Sequence, residues 1–284
     1  MLDLYDAILA RRSVRRYEER PVSQAVFDAI RECESDIEPL EPGLGFRYSI
    51  AHATVDTDIT SLLGAYGRII SAPHVLVPTI EDDRHALVDF GFRVEQLVIH
   101  LTRLGLSSCW VGALPREAKA AERFEIPTGW RIPALIAFGY PATGIGGAVN
   151  SLIHIGVGAQ RPLDFGRFVS SGTYGQPAAL SGLQTNLLDA LRRAPSAGNA
   201  RPWRVILRAD RMFYCLDTAV GFYRTYKVDY PLVDAGIGMA NISLALKALD
   251  RPQQWALLND EPGLRAQLQL PPNVRLVASI ALEA

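Results

Sequence analysis

The chain has 284 residues, enough for one large domain or two ordinary ones. It is 49% hydrophobic and 21% charged with a formal net charge of −1, which gives no electrostatic case for nucleic acid or an acidic membrane surface. Its three cysteines (Cys33, Cys109, Cys215) lie far apart, without disulfide or metal spacing, and this fits a reducing cytoplasm.

Leu4, Ala7 and Ile8 share helical spacing, so residues 3–11 are predicted as a short helix. Its acidic opening lacks the charged-then-apolar order of a signal peptide. Pro21 and Ser23 then start a second helix, with Val26, Phe27 and Ile30 on one face. GFRYSIAHA is predicted as a strand, TDITSLLGAYGRIIS as a helix and HVLVPTI as a buried strand. The longest helical pattern is HALVDFGFRVEQLVIHLTRLGL, with an apolar stripe of Val94, Leu97, Val98, Leu101 and Leu104 and a C-cap signal at Gly105. SSCWVGA and PALIAFGYP follow as strands. The Gly-rich stretch 143–160 is a connector with no clear element, and 165–182 is loop-like.

The order then repeats. A helix (GLQTNLLDALRR) leads to a loop at 194–202 and strands WRVILRA and MFYCLD. The helix LVDAGIGMANISLALKAL, strand QQWALL, short helix PGLRAQLQL and strand RLVASIAL complete the chain. No apolar run approaches the ~20 residues of a membrane-spanning helix. The five histidines, His52, His74, His85, His100 and His154, show no metal spacing.

The repetition extends to individual residues. Asp89 and Asp234 lie 145 positions apart, and the same offset aligns Gly91 with Gly236, Leu101 with Leu246, Leu104 with Leu249 and Trp110 with Trp255. One position closer, Pro127 meets Pro271, Arg131 meets Arg275, Ala134 meets Ala278 and Ile136 meets Ile280. Chance pairing of apolar helices does not readily place Asp-x-Gly, Trp, Pro and Arg in register. The chain is therefore read as two diverged copies of one α+β unit, and both tryptophans as core residues.

Two motifs carry chemistry, one in each copy. Arg11, Arg12, Ser13, Arg15 and Arg16 close the first helix and make a donor cluster suited to a phosphate. A solvated basic helix end, favoured by the helix dipole, explains the same residues. In the second copy, APSAGNARPW at 194–203 follows a helix. Small side chains there let a flat ligand approach the backbone, and Asn199 offers both a donor and an acceptor. A helix C-cap with Gly198 or Asn199 left-handed explains part of this string.

Together, RRSVRRY with PVS, APSAGNARPW, DAGIGMANISLAL and GLSSCWVGA with IPALIAFGYP resemble the FMN-dependent nitroreductase family. The resemblance covers residues 3–168 and about 183–282. It implies an α+β nitroreductase-like fold in two tandem copies, 1–168 and 169–284, packed as an intramolecular pseudo-dimer. In that family, an Arg-x-Ser-x-Arg/Lys segment of one subunit holds the FMN phosphate side and a Pro-Ser-x-x-Asn loop of the other packs by the ring. Here the first copy keeps the clamp and reads ECESDIEPLEPGLGFRYS where the loop belongs; the second keeps the loop and reads FGRFVSSGTYGQPAALSG where the clamp belongs. The resemblance thus implies one FMN per chain.

Carried over residue by residue, Arg11, Arg12, Ser13 and Arg161 face the phosphate, and Arg15 and Arg68 the pyrimidine edge. Pro195, Ser196, Ala197 and Asn199 line the ring, and the Gly112 backbone lies near N5 and O4. Arg201 stands where the family usually has Gln, and Ala159 where a second late basic residue is frequent. The implied activity is ping-pong hydride transfer from NADH or NADPH to a nitroaromatic, a quinone or another small electrophile. No side-chain general base is required; Arg15 and Arg68 would stabilise the negative charge of the reduced ring. A flavin-sequestering protein and a specialised flavin enzyme of the same fold are the other readings that the resemblance leaves open. A cytoplasmic monomer without nucleic-acid or membrane partners is expected.

Overall fold

A computed structural model describes residues 1–52, 70–112, 117–144, 146–147, 163–220 and 229–282. Helix α1 (Leu4–Ala10) begins at Asp3, whose carboxylate accepts from the Tyr5 amide, and buries Ala7 and Ile8. Helix α2 (Gln24–Glu32) follows Ser23 and turns Phe27 and Ile30 inward. Next come β1 (Phe46–His52), β2 (His74–Glu81), α3 (Ala86–Arg103), β3 (Ser107–Gly112), α4 (Glu117–Arg123), β4 (Trp130–Arg131) and β5 (Ala134–Gly139).

The second half opens with β6 (Val169–Ser171). Helix α5 (Gly182–Arg193) starts in a capping box of Ser181 and Gln184, which satisfies two otherwise orphaned amides. Then follow β7 (Trp203–Arg208), β8 (Arg211–Asp217), α6 (Tyr230–Ala248), β9 (Trp255–Leu257), α7 (Pro262–Leu268) and β10 (Val274–Ala281).

Both sheets have the same plan. The first runs β1-β2-β5-β3, with β4 on β2; the second runs β7-β8-β10-β9, with β6 added outside β7. Every pairing is antiparallel except β6 with β7, which is parallel with Val169 opposite Val205. Strand alternation divides the side chains. Leu76, Ile136 and Phe138 of the first sheet and Val205, Met212 and Tyr214 of the second enter one shared core. The outer faces carry smaller clusters, Val75, Val77 and Leu135 in one half and Ile206, Cys215 and Leu276 in the other.

Helices α3 and α6 fill the space between the halves. Helix α6 is apolar on all sides, and nearly all its side chains from Tyr230 to Leu246 are buried. The pair crosses at the repeated glycines. A Cβ at Gly91 would overlap the Val233 carbonyl oxygen, and one at Gly236 would overlap that of Val88. The contact is reciprocal, as a two-fold relation between the helices requires.

The predicted order of elements agrees with the structure over most of the described residues. The stretch 165–182, read as a loop, holds a 3-10 turn (Phe165–Arg167) and β6. Helix α4 and the short β4 are additions. The helix predicted over 57–71 lies mostly outside the described residues, as does most of the connector 143–160. All three cysteines are free and buried. Among the described residues, no helix is long and apolar enough to cross a membrane, and no group of three metal-ligating side chains occurs.

Candidate functional site

The basic segment is not a frayed helix end. After Arg11 the chain is extended and held on both sides by backbone bonds. Val14 donates to the Ser108 carbonyl at 2.9 Å, and Ser71 donates to the Arg15 carbonyl at 3.1 Å. Val14 and Tyr17 are buried, which fixes the direction of the arginines between them.

Neighbouring arginines in this segment do different things. Arg11 is only 9% exposed. Its Nη2 donates to the Arg193 carbonyl of the second half at 3.1 Å, and its Nη1 to Ser13 Oγ at 3.4 Å. Its Nε lies 3.9 Å from Glu95 Oε1, beyond hydrogen-bond reach. Glu95, on α3, is fully buried, and its other oxygen accepts from Trp110 Nε1 at 2.9 Å. Burial pushes the Glu95 carboxyl up to about 7, against the opposing pull of Arg11 and Trp110. Burial also lowers Arg11. For both partners, desolvation outweighs attraction.

Arg12, by contrast, is exposed and donates to the carbonyls of Leu9 (2.8 Å) and Arg11 (3.0 Å). Burial of part of its side chain, then the charge of Arg193, lowers its pKa. Arg193 acts on Arg11 in the same sense. Arginines of both halves therefore share one electrostatic neighbourhood.

The loop after α5 is built tightly. Its 3-10 turn spans Ala197–Asn199, and Gly198, Asn199 and Arg201 all have positive φ (58°, 56° and 51°). Glycine and asparagine tolerate that region; an arginine there costs about 1 kcal/mol or more and must be held. Two side chains hold it: Ser196 Oγ accepts from the Arg201 amide at 2.9 Å, and Asn199 Oδ1 from Arg201 Nε at 3.0 Å. The Ala197 amide donates to both carboxylate oxygens of Asp234, at 3.0 and 3.1 Å.

Asp89 does the same in the first half. Its Oδ1 accepts from the amides of Leu40 (2.6 Å) and Glu41 (3.4 Å). The repeated aspartates thus tie down the segments preceding β1 and β7, the equivalent strands of the two sheets. In the first half, Arg93 adds a plug: it pairs with Asp89 at 2.8 Å and donates to the carbonyls of Glu41 (3.3 Å) and Leu44 (3.0 Å).

A second contact between the halves lies at Gly112. A Cβ there would be 2.9 Å from the ring of Tyr230, the first residue of α6, whose hydroxyl donates to the Pro133 carbonyl at 3.2 Å. The structure thus joins the Arg11 segment to the end of α5, where the 194–199 loop starts, and seats Tyr230 on Gly112. Arg68 and Arg161 lie outside the described residues. Of Asp234, Glu95, Arg193 and Tyr230, only Asp234 carries a signal in the sequence, its repeat of Asp89.

A family model described as "Putative TM nitroreductase" matches residues 3–246. The chain belongs to this nitroreductase family. Among solved structures it is similar to a "putative nitroreductase" from Thermotoga maritima, with 18% identity and a TM-score of 0.61 over 100% of this chain and 95% of that one. A nitroreductase family protein from Clostridium novyi NT matches 49% of this chain over 87% of its own, at 19% identity and a TM-score of 0.44. An "FMN-dependent Nitroreductase" from Clostridium difficile R20291 matches 49% of this chain over 87% of its own, at 19% identity and a TM-score of 0.42. No curated protein matches the chain. The Thermotoga nitroreductase structure spans both halves of the chain; the other two span about half.

Proposed function

We propose that this nitroreductase-family chain is an FMN-dependent NAD(P)H oxidoreductase that reduces nitroaromatics, quinones or similar small electrophiles. One FMN is held between the halves 1–168 and 169–284, and the chain works as a monomeric pseudo-dimer. The observation that carries this reading is the bond from Arg11 to the Arg193 carbonyl, which brings the two separated motifs to one place.

The donor set fits a phosphate monoester. Arg11, Arg12 and Arg193 share one neighbourhood, and among the described residues a single buried carboxylate, Glu95, faces them, against Arg11. Among the described residues, Arg12 and Arg193 have no carboxylate partner. Arg12, Ser13 and Arg193 are the groups offered to the anion, while Arg11 braces the two halves. When bound, FMN supplies two-electron transfer between a nicotinamide and an electrophile. The chain supplies the rest. Asp234 and Ser196 fix the backbone of the small-residue loop for a flat ligand, and Arg15 with Arg68 supplies positive charge at the pyrimidine edge. One site per chain follows from the first half, where Arg93 occupies the carbonyls of the corresponding segment.

The test is an anaerobic visible titration with NADPH and NADH after the flavin has been counted. One FMN per chain that bleaches, then recovers on addition of a nitroaromatic or quinone, supports the reading. Bound flavin that stays oxidised overturns the reductase and leaves a sequestering protein. Two flavins per chain overturn the single site.

A further inference from the structure

We infer that Glu95 is a positioning residue for the cofactor site, its carboxylate holding the buried Arg11 guanidinium in the pose that bridges the two halves. This rests on the reading of that site as the FMN site. The geometry sets Glu95 apart from an ordinary helix carboxylate. It is fully buried, and its Oε1 and the Arg11 Nε both lack hydrogen-bond partners while standing 3.9 Å apart. Trp110 fixes the other oxygen. Nη2 of the same guanidinium reaches the carbonyl at which the 194–199 loop begins. Glu95 therefore touches the loop through one intermediary.

The charges around this pair favour control by protonation. Arg11 from the end of α1, its neighbour Arg12 and Arg193 from α5 are positive; Cys109 of β3, near Arg11 and Arg15, is kept a neutral thiol by burial. Glu95 is the carboxylate among them, and its proton exchange falls near neutrality. A proton on Glu95 leaves a buried guanidinium without a counter-charge and beside two like charges. Burial favours the proton on Glu95 but strands the Arg11 charge, and Arg11 relieves this by turning toward solvent. The loop then loses its brace. Ionised Glu95, on the alkaline side, closes the site; neutral Glu95, on the acid side, opens it.

The opposite sign is physically available and makes the inference testable. If Arg11 stayed in place, removing the Glu95 charge would strengthen the field on an anion and tighten FMN binding in acid.

Three readouts follow, two of them without flavin. The Trp110 indole N–H resonance, assigned by its loss in Trp110→Phe, should titrate between about pH 5.5 and 8.5 in the wild type and stay flat in Glu95→Gln. Hydrogen exchange at residues 194–201 should quicken toward acid with the same midpoint, and be fast at every pH in Glu95→Gln. FMN affinity should fall roughly tenfold from pH 8 to 6 in the wild type and lose that dependence in the variant. A flat Trp110 resonance in the wild type, loop exchange that ignores it, or tighter FMN binding in acid overturns the inference. If FMN binds at no pH, the flavin reading fails while the indole and exchange data still decide the role of Glu95.

Discussion

Arg11 donates to the carbonyl of Arg193 across 182 positions of sequence, and the same guanidinium faces the buried carboxylate of Glu95. Removing one charge of such a pair strands the other. Arg11→Met should therefore cost about 3–5 kcal/mol in urea unfolding. The double variant Arg11→Met with Glu95→Leu should cost clearly less than the sum of the two single changes. Additive losses would show that the pair is not coupled.

The glycine crossing makes a sharper prediction. Alanine at Gly236 or Gly91 would press its Cβ into a carbonyl of the facing helix, a backbone group that cannot swing aside as the tip of a side chain can. Each change should destabilise the chain by about 3 kcal/mol or more. At Gly182, the start of α5, an added Cβ would meet nothing within 4 Å, so Gly182→Ala should shift stability by no more than ~1 kcal/mol, upward. Thermal unfolding of the three variants separates packing from helix propensity.

Asp89 and Asp234 are equivalent in fold and should be unequal in function. Asp234→Asn loosens the loop proposed to line the flavin, and should lower FMN affinity roughly tenfold. Asp89→Asn disturbs the segment closed by Arg93, and should leave FMN affinity unchanged even where it costs stability. Flavin fluorescence quenching on both variants provides the comparison. Equal losses would mean that the first half also binds.

Acid should act on the fold through two groups of opposite sign. Burial, then His52, lowers His74 to about 4, below its ordinary 6.5. The unfolded chain therefore binds the extra proton between those values, and stability falls as pH drops from 6.5 toward 4. Glu95, raised from 4.5 to about 7, works the other way: its contribution is full below 4.5 and is lost as pH rises through 7. Urea midpoints against pH should flatten on the acid side in His74→Gln and on the neutral side in Glu95→Gln.

Much of this architecture was legible in the residues alone. Asp-x-Gly and Trp recurring at one offset implied the duplication, because a buried aspartate and a helix-crossing glycine do not tolerate drift; the two tryptophans, read as core residues, are half-buried and pack against the edge of the core. The elements that escaped notice take their stability from elsewhere in the chain. Strand β6 is only Val169–Ser171, too short to show a period, and exists because β7 offers it an edge. Glu95 sits on an amphipathic helix, where a carboxylate normally meets water; tertiary packing instead buries it fully, beside Trp110 and Arg11. Arg11 and Arg12 are the same residue type side by side, and one is buried while the other is exposed because the chain turns extended between helix and strand.

The matching order of the two sheets has a consequence for change itself. In an assembly of identical subunits, every substitution is written twice, so no residue can serve one site without appearing in the other. Here Leu40 and Ala197 occupy equivalent places against Asp89 and Asp234 and are free to differ. Covalent linkage also keeps the two halves at a fixed effective concentration, so dilution does not separate them. Fusion thus separates two tasks that symmetry would have imposed on one surface: one half can specialise in scaffolding its twin.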